Sequence, residues 1–447
     1  MYIELPVKVK NIIATIEAAG YEAYAVGGCV RDSILGRTPD DWDITTSAKP
    51  LQIKELFRRT IDTGIKHGTV TVMLDREGFE ITTYRIDGEY EDSRHPRTVT
   101  FTSDIVEDLK RRDFTINAMA YNDRLGLIDI FGGIQDIERK VIRCVGNPKE
   151  RFGEDALRMM RAVRFSAQLG YSIEQETAAA IKELSGNLRN ISAERIRTEL
   201  VKLLLSPHPD HLGICYETGI TGVILPEFDL CMETQQHNPH HCYTVGRHIL
   251  QSLKEVERDK VLRLAMLFHD IGKPLTKSTD DMGIDHFHGH AAVSEKITKK
   301  VMQRLKFDSD TLNKVSRLVL YHDHDVETSA RSVRRAVNKI GEDIFPYLFE
   351  VKKADIHAQS EYLREEKLNK LEEIRKIYDE IIKARDCVSL HTLAVTGKDL
   401  IDIGMKPGKE LGEVLNKLLE IVLESPEDNT KDRLLYYVRQ MTLDTLE

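Results

Sequence analysis

The stretch GGCVRDSILGRTPDDWDITT, residues 27–46, constrains this chain more than any other. Gly27 and Gly28 let the backbone turn sharply and approach a phosphate with no side chain in between. Residues 30–35 read as the start of a helix, whose first amides suit an anion. Arg31 brings to that point a planar guanidinium that matches phosphate oxygens. Asp41 and Asp43 flank Trp42 in a run that continues as Ile44-Thr45-Thr46. On a strand, residues two apart point to one side, so both carboxylates can meet one cation. Hard oxygen donors of this kind suit Mg²⁺, which keeps water and bridges to phosphates. A second ion would clamp the attacking and leaving oxygens of an in-line displacement. Strand, turn, helix and second strand thus read as a holder for a nucleoside triphosphate.

The spacing GGxVRDxxLG followed by DxD resembles the tRNA nucleotidyltransferase and poly(A) polymerase group of the polymerase-β-like nucleotidyltransferases. That resemblance implies an α+β chain: a sheet-based catalytic domain followed by all-helical neck, body and tail. Length and composition agree. The 447 residues leave room for roughly two to four domains, with 41% hydrophobic and 31% charged residues. No apolar run reaches the length of a membrane span, and the N-terminus has no signal-peptide core. Six scattered cysteines form no CxxC pair, so neither a disulfide framework nor a cysteine-rich zinc site is indicated, and a reducing cytoplasm fits. A net charge of −9 argues against indiscriminate nucleic-acid binding but leaves room for a local basic groove.

Taken in order, residues 7–19 have helical periodicity and residues 24–26 read as a buried strand entering the glycines. Residues 51–59 read as a helix, and residues 69–74 and 79–84 as strands joined by the turn DREG. Glu80 on the second strand is either a salt-bridged strand residue or a third carboxylate near the primer hydroxyl. Residues 86–104 read as one long loop, which in the family supports the late steps of synthesis. In DLKRRDFTINAMAY, residues 108–121, Arg111 and Arg112 read as a helix start, against the macrodipole, which an incoming triphosphate would explain. The resemblance assigns Arg112 to the triphosphate and Asn117 to positioning the nucleotide; a solvated helix end is the alternative. Residues 127–131 and 141–145 are expected to close the sheet, and the catalytic domain to span residues 1–147.

From residue 148 the pattern is helical almost throughout. The segment RFGEDALRMMRAVRF, residues 151–165, places Asp155 and Arg158 three apart on one helix, which by itself is an ordinary ion pair. Arg151, Arg161 and Arg164 add more guanidinium than one such pair explains. In the resemblance, EDxxRxxRxxRF selects the base, with Asp155 and Arg158 as its readers and Arg161 and Arg164 against nucleotide or RNA backbone. The chemistry is sound. A carboxylate accepts from the exocyclic amino group of cytosine or adenine, and a guanidinium donates to the neighbouring ring acceptor. Guanine and uracil would leave those charges unpaired, a discrimination of about 1–3 kcal/mol per good contact. The fifth motif, ISAERIRTELVKLLL at residues 191–205, reads as support for that helix, with Ser192 as N-cap.

Ten of the sixteen histidines fall between His237 and His324. His269 and Asp270 end an apolar helix as an adjacent pair that can ligate one cation. With His248 upstream and Asp355 downstream, the pattern resembles the HD phosphohydrolase superfamily, which implies a second divalent metal. His290, and His322 or His324, are where a further metal or a phosphate would be held. Residues 396–412, TGKDLIDIGMKPGKELG, read as two helices joined by a Gly-Pro-Gly turn.

These readings divide the chain into a head at 1–147, a neck and body at 148–236, an HD domain at 237–360 and a tRNA-binding tail at 361–447. The activity implied is CCA addition to tRNA from CTP and ATP with Mg²⁺, with no membrane involved. An enzyme adding only the terminal A, a poly(A) polymerase, or an HD phosphohydrolase whose first domain merely docks RNA are the rival readings.

Overall fold

A computed structural model describes residues 2–88 and 99–443. The chain divides into two compact units, Met1–Asp229 and Leu230–Glu447.

The first unit is built on a seven-stranded sheet. Its strands are β1 (Ala23–Val26), β2 (Ile44–Thr46), β3 (Thr60–Gly64), β4 (Thr69–Leu74) and β5 (Glu77–Thr83), then, beyond the small ribbon β6 (Arg85–Asp87) and β7 (Val99–Phe101), β8 (Met119–Asn122) and β9 (Gly126–Asp129). The spatial order is β3-β4-β5-β2-β1-β8-β9. All four residues of β1 are buried, as expected of a central strand. The β4–β5 hairpin turns on Asp75 and Arg76, both at positive φ, which matches the twist of the strands it joins. Helices α1 (Val7–Ala18), α2 (Gly28–Ile34) and α3 (Pro50–Leu56) lie among the first strands in sequence; α1 buries Val9, Ile12, Ile13 and Ile16 at helical spacing.

Four sequence expectations are corrected here. Asp41 and Asp43 precede β2 rather than lie on it, although the Asp43 carbonyl extends the ladder by accepting from the Val26 amide at 3.0 Å. Arg111 and Arg112 follow the end of α4 (Ile105–Lys110), where the macrodipole favours cations, and do not open a helix. The residues after them make a single 3₁₀ turn, Thr115–Asn117, before β8, because β8 is wholly buried between β1 and β9 and its burial overrides helix propensity. Finally, Val141–Ile142 (β10) leaves the main sheet, separated from β9 by α5 (Gly133–Arg139), and pairs in parallel with Ser172–Ile173 (β11). The expected loop at 86–104 has paired ends, β6 with β7, while residues 89–98 lie outside the described residues.

The base-reading segment is also not one helix. It breaks at Asp155 between α6 (Pro148–Glu154) and α7 (Leu157–Leu169). Asp155 adopts an extended conformation, and its carboxylate accepts from the Leu157 amide at 3.0 Å, starting the second helix. α8 (Gln175–Leu184) and α9 (Ala193–Leu204) follow, with α9 packed on α7 and Ser192 at its N-cap position without a side-chain cap bond. Short helices α10 (Leu212–Glu217), α11 (Thr221–Ile224) and α12 (Pro226–Glu233) come next.

The second unit is helical. Its main elements are α13 (Val245–Glu255), α14 (Lys260–Phe268), α15 (Lys273–Thr276), α16 (His290–Arg304), α17 (Ser309–Tyr321), α18 (Ala330–Ile340), α19 (Phe345–Ala358) and α20 (Arg364–Ala384). α21 (Gly397–Asp402) and α22 (Lys409–Glu424) flank the expected Gly-Pro-Gly turn, and with α23 (Lys431–Leu443) they enclose a separate small core around Leu400, Leu418, Val422 and Leu434. No helix among the described residues is long and apolar enough to cross a membrane.

Candidate functional site

Gly27 stands at φ +85° and ψ −130°, a region open only to glycine. A Cβ there would lie 2.9 Å from Arg112 Nη1, so the bare backbone is what lets this guanidinium lie against the turn. Gly28, by contrast, is the first residue of α2 and would meet only Arg31 Nη2, at 3.7 Å. Arg112 is held by Asp108, which is fully buried and also accepts two bonds from Arg111 and one from Thr45 Oγ1 at 3.1 Å. Thr45 belongs to β2, so Asp108 ties Arg112 to the strand that Asp43 leads into. The Nε of Arg112 is buried without a hydrogen-bond partner. A buried, orphaned guanidinium N–H beside a turn with no side chain fits a phosphate oxygen.

The carboxylates lie close by. β2 and β5 run parallel with Ile44 opposite Ile81, which sets Asp43 beside Glu80 one step earlier. All three acids are open to solvent. The Asp43 carboxyl is nevertheless held above the usual range. Partial desolvation is the main cause; Arg112 pulls it down, and the negative Glu80 and Asp41 push it up. Negative oxygen donors crowding one another fit a hard divalent cation. Among the described residues, groups of three ligating side chains within 4.8 Å occur only in the second unit. In the first unit, Asp41 and Glu80 both act on the Asp43 carboxyl, so the three acids share one neighbourhood at the start of β2.

Arg31 is buried and donates from Nη1 to Asn117 Oδ1 at 2.6 Å and from Nη2 to Asp32 at 2.8 Å. The other end of the Asn117 amide donates to Asp113 at 3.3 Å. Asn117 is thus enclosed, and it orders Arg31 and Asp113. Burial alone would raise the Asp113 carboxyl, but Arg161, bonded to it at 2.6 and 2.7 Å, and the nearby Arg158 hold it at about 2. Arg164 points into the interior, bonded to Glu199 of α9 and to Gln168. The guanidiniums of Arg31, Arg161 and Arg164 surround one aromatic ring, Phe165, at 5.1, 5.5 and 3.9 Å from its centre.

The two expected base readers do not pair with each other. Asp155 is gripped by Arg195 of α9, with Nη2 at 2.7 Å from Oδ2. Arg158 is held by Glu154 and by the carbonyls of Arg151 and Arg111. Each reader therefore has its own anchor, and both remain half-buried rather than sealed. The roles of Asp108, Asp113 and Arg195 as anchors escaped the sequence reading. All sit inside the quoted motifs, but nothing in their spacing announces partners as far as 63 residues away.

In the second unit the four expected residues meet. His248 Nε2 lies 3.2 Å from His269 Nε2 and 2.9 Å from Asp355 Oδ1, with Asp270 Oδ2 3.4–3.5 Å from both imidazoles. The other oxygen of Asp270 faces His290 at 3.3 Å and His322 at 3.6 Å, whose Nε2 atoms are 3.1 Å apart. His322 rather than His324 completes this second group. All four imidazoles direct Nδ1 at a backbone carbonyl: Ala358, Met266, Phe287 and Val319. With the proton on Nδ1 in each of these contacts, the Nε2 lone pairs would face inward to a cation. Converging lone pairs and carboxylates, with Asp270 shared between two groups, fit one or two divalent cations.

Residues 23–143 match the family described as Poly A polymerase head domain, residues 170–232 the probable RNA and SrmB-binding site of polymerase A, and residues 280–438 the putative domain 2 of tRNA nucleotidyltransferase. The CCA-adding enzyme of Lactobacillus helveticus is 36% identical over 438 residues, covering 97% of each chain. That of Enterococcus faecalis is 34% identical over 433 residues, covering 96% of this chain and 94% of its own. The structure of the Bacillus stearothermophilus CCA-adding enzyme in complex with CTP superposes with a TM-score of 0.75 and 28% identity, covering 100% of both chains.

Proposed function

The chain belongs to the family of CCA-adding enzymes, and on that premise we propose that it extends tRNA 3′ ends with C, C and A, taking CTP and ATP and releasing pyrophosphate. In each step the primer 3′ oxygen bonds to the α-phosphorus of the nucleotide, and the bond from that phosphorus to the β-phosphate oxygen breaks. The observation that carries the reading is the meeting of Gly27, the orphaned Arg112 Nε, Asp43 and Glu80 at one end of the sheet.

Asp41 and Asp43 would hold Mg²⁺, which supplies positive charge against the triphosphate and the reacting oxygens. Gly27 and the α2 turn at Gly28 give the triphosphate room, and Arg112 donates to it, with Arg31 ordered behind by Asn117. Glu80 stands open beside Asp43, on the side left for the primer hydroxyl. Asp155 accepts from the amino group of cytosine or adenine and Arg158 donates to the adjacent ring acceptor, so selection needs no template. Arg161 and Arg164 act mainly by ordering this wall, through Asp113 and Glu199.

The His/Asp clusters of the second unit support a divalent metal and an accessory phosphohydrolase, placed in an HD domain at about residues 237–360. The head, neck and tail divisions read from the sequence are retained on the same footing. Six cysteines, none in a disulfide, suit a reducing cytoplasm.

The test is incorporation of labelled CTP and ATP onto tRNA lacking CCA, lacking CA, or lacking A. Completion of all three, with GTP and UTP refused, is the expected result. Extension of only the last makes this an A-adding enzyme, and long A tails on generic RNA make it a poly(A) polymerase. Asp43→Asn abolishes incorporation in every arm.

A further inference from the structure

Five side chains of the first unit close a circuit. Arg31 Nη1 donates to Asn117 Oδ1 at 2.6 Å, the Asn117 amide donates to Asp113 Oδ1 at 3.3 Å, and Asp113 Oδ2 accepts from Arg161 Nε at 2.7 Å. Phe165 completes it: its ring centre lies 5.1 Å from the Arg31 guanidinium and 5.5 Å from that of Arg161. Both distances are within cation–π reach. Phe165 is the one member of the five without a polar side-chain atom, so the face of its ring carries its part of the circuit.

The position asks for an aromatic ring and not only for bulk. Arg31, Arg161 and Arg164 bring three positive charges around one point. Each has its own carboxylate: Asp32 holds Arg31, Asp113 holds Arg161 and Glu199 holds Arg164. At the centre the three guanidiniums share stands Phe165, only 6% exposed. The negative face of its ring answers cations there with little screening by water. An aliphatic side chain would fill the same space and leave the three charges to repel one another. The fully buried Phe114 meets the ring nearly edge-on at 5.7 Å, which sets its plane.

The circuit spans two elements of the proposed nucleotide site. Arg31 belongs to α2, which begins at Gly28; a Cβ on Gly28 would stand 3.7 Å from Arg31 Nη2. Arg158, Arg161 and Phe165 belong to α7, where spacings of three, four and seven residues fall on one face. Arg158, the proposed base reader, lies two turns before the ring. A shift of Phe165 against Arg31 therefore moves the reader relative to the glycine turn.

We infer that Phe165 is a positioning residue for base selection: its ring, held between the guanidiniums of Arg31 and Arg161, sets the base-reading face of α7 against the glycine turn. The inference rests on the reading of Asp155 and Arg158 as base readers and on the turn as the seat of the triphosphate.

The test replaces Phe165 in the full chain by difluoro- and pentafluorophenylalanine through nonsense suppression, which keeps the shape of the ring while withdrawing its negative face. Incorporation of CTP and of UTP onto tRNA lacking CCA gives the preference as a ratio of kcat/KM values. The expected result is a graded fall, reaching roughly tenfold with pentafluorophenylalanine, with the thermal transition of the first unit retained. Where pentafluorophenylalanine costs that transition, the difluoro variant and Phe165→Leu decide in the same sense. A preference unmoved across the series, a loss that does not grow with fluorination, or equal losses for CTP and UTP with the ratio intact overturns the inference and leaves Phe165 a core side chain. An unsubstituted chain without preference for CTP over UTP overturns the base-reader reading itself and the inference with it, so the two failures are told apart before any substitution is made.

Discussion

Gly27→Ala separates the conformational role of the turn from its chemical one. At φ +85° and ψ −130° an alanine is strained by about 1–3 kcal/mol whatever space surrounds it. For a unit of this size that lowers the melting temperature of the first transition by about 2–4 °C per kcal/mol. The new Cβ also lies 2.9 Å from Arg112 Nη1, inside contact distance, so the guanidinium must withdraw. Being the end of a flexible side chain, it withdraws at little cost to folding. The loss falls on the nucleotide: one charge-assisted hydrogen bond, about 1.5–3 kcal/mol, or roughly ten- to a hundredfold in KM for CTP and ATP alike. Gly28→Ala is the control for stability. Gly28 is helical, its Cβ would make an ordinary contact at 3.7 Å, and alanine there is neutral or stabilising by up to about 1 kcal/mol. The assays are thermal unfolding of both variants and steady-state incorporation of CTP and ATP. Equal stability of the two variants, or a Gly27→Ala enzyme with unchanged KM, would refute the placement of Arg112 against the turn.

Three other perturbations follow from the same geometry. Arg195→Ala releases the Asp155 carboxylate, so the preference for CTP over UTP in kcat/KM falls by roughly tenfold or more; a lower rate with the ratio intact would show that Arg195 only props the helix. Asp113 is held at about 2 in the folded chain, below its unfolded value, so its stabilisation is present above pH ~4 and is lost as pH falls toward 2. Arg161→Met should therefore cost on the order of 2–4 kcal/mol at pH 7 and flatten the acid limb, as read by denaturant unfolding at pH 7 and pH 3. His269→Ala removes one imidazole from the first cluster and should weaken Mn²⁺ binding at least tenfold; undiminished binding rules the cluster out as the metal seat.

What the sequence determined by itself was whatever depends on near neighbours. The glycine turn, the DxD pair, the hairpin at residues 69–84 and the helix-turn-helix near residue 404 are encoded in adjacent residues, whose φ preferences and periodicity act locally. The HD pair and its flanking histidines were legible because few structural needs gather so many imidazoles. The tertiary structure decided the rest, because a charged side chain's partner is set by long-range packing. Arg31 finds Asn117 86 residues on, Arg161 finds Asp113 48 back, and Asp155 meets Arg195 40 ahead rather than Arg158 on the next turn. The stretch RRDFTINAMAY shows why pattern alone was misleading. Its apolar spacing suits a helix, but β8 is enclosed by strands on both sides, and burying its four residues outweighs the local preference. That same enclosure leaves the two arginines after the end of α4, with Arg112 beside the glycine turn and Arg111 on Asp108.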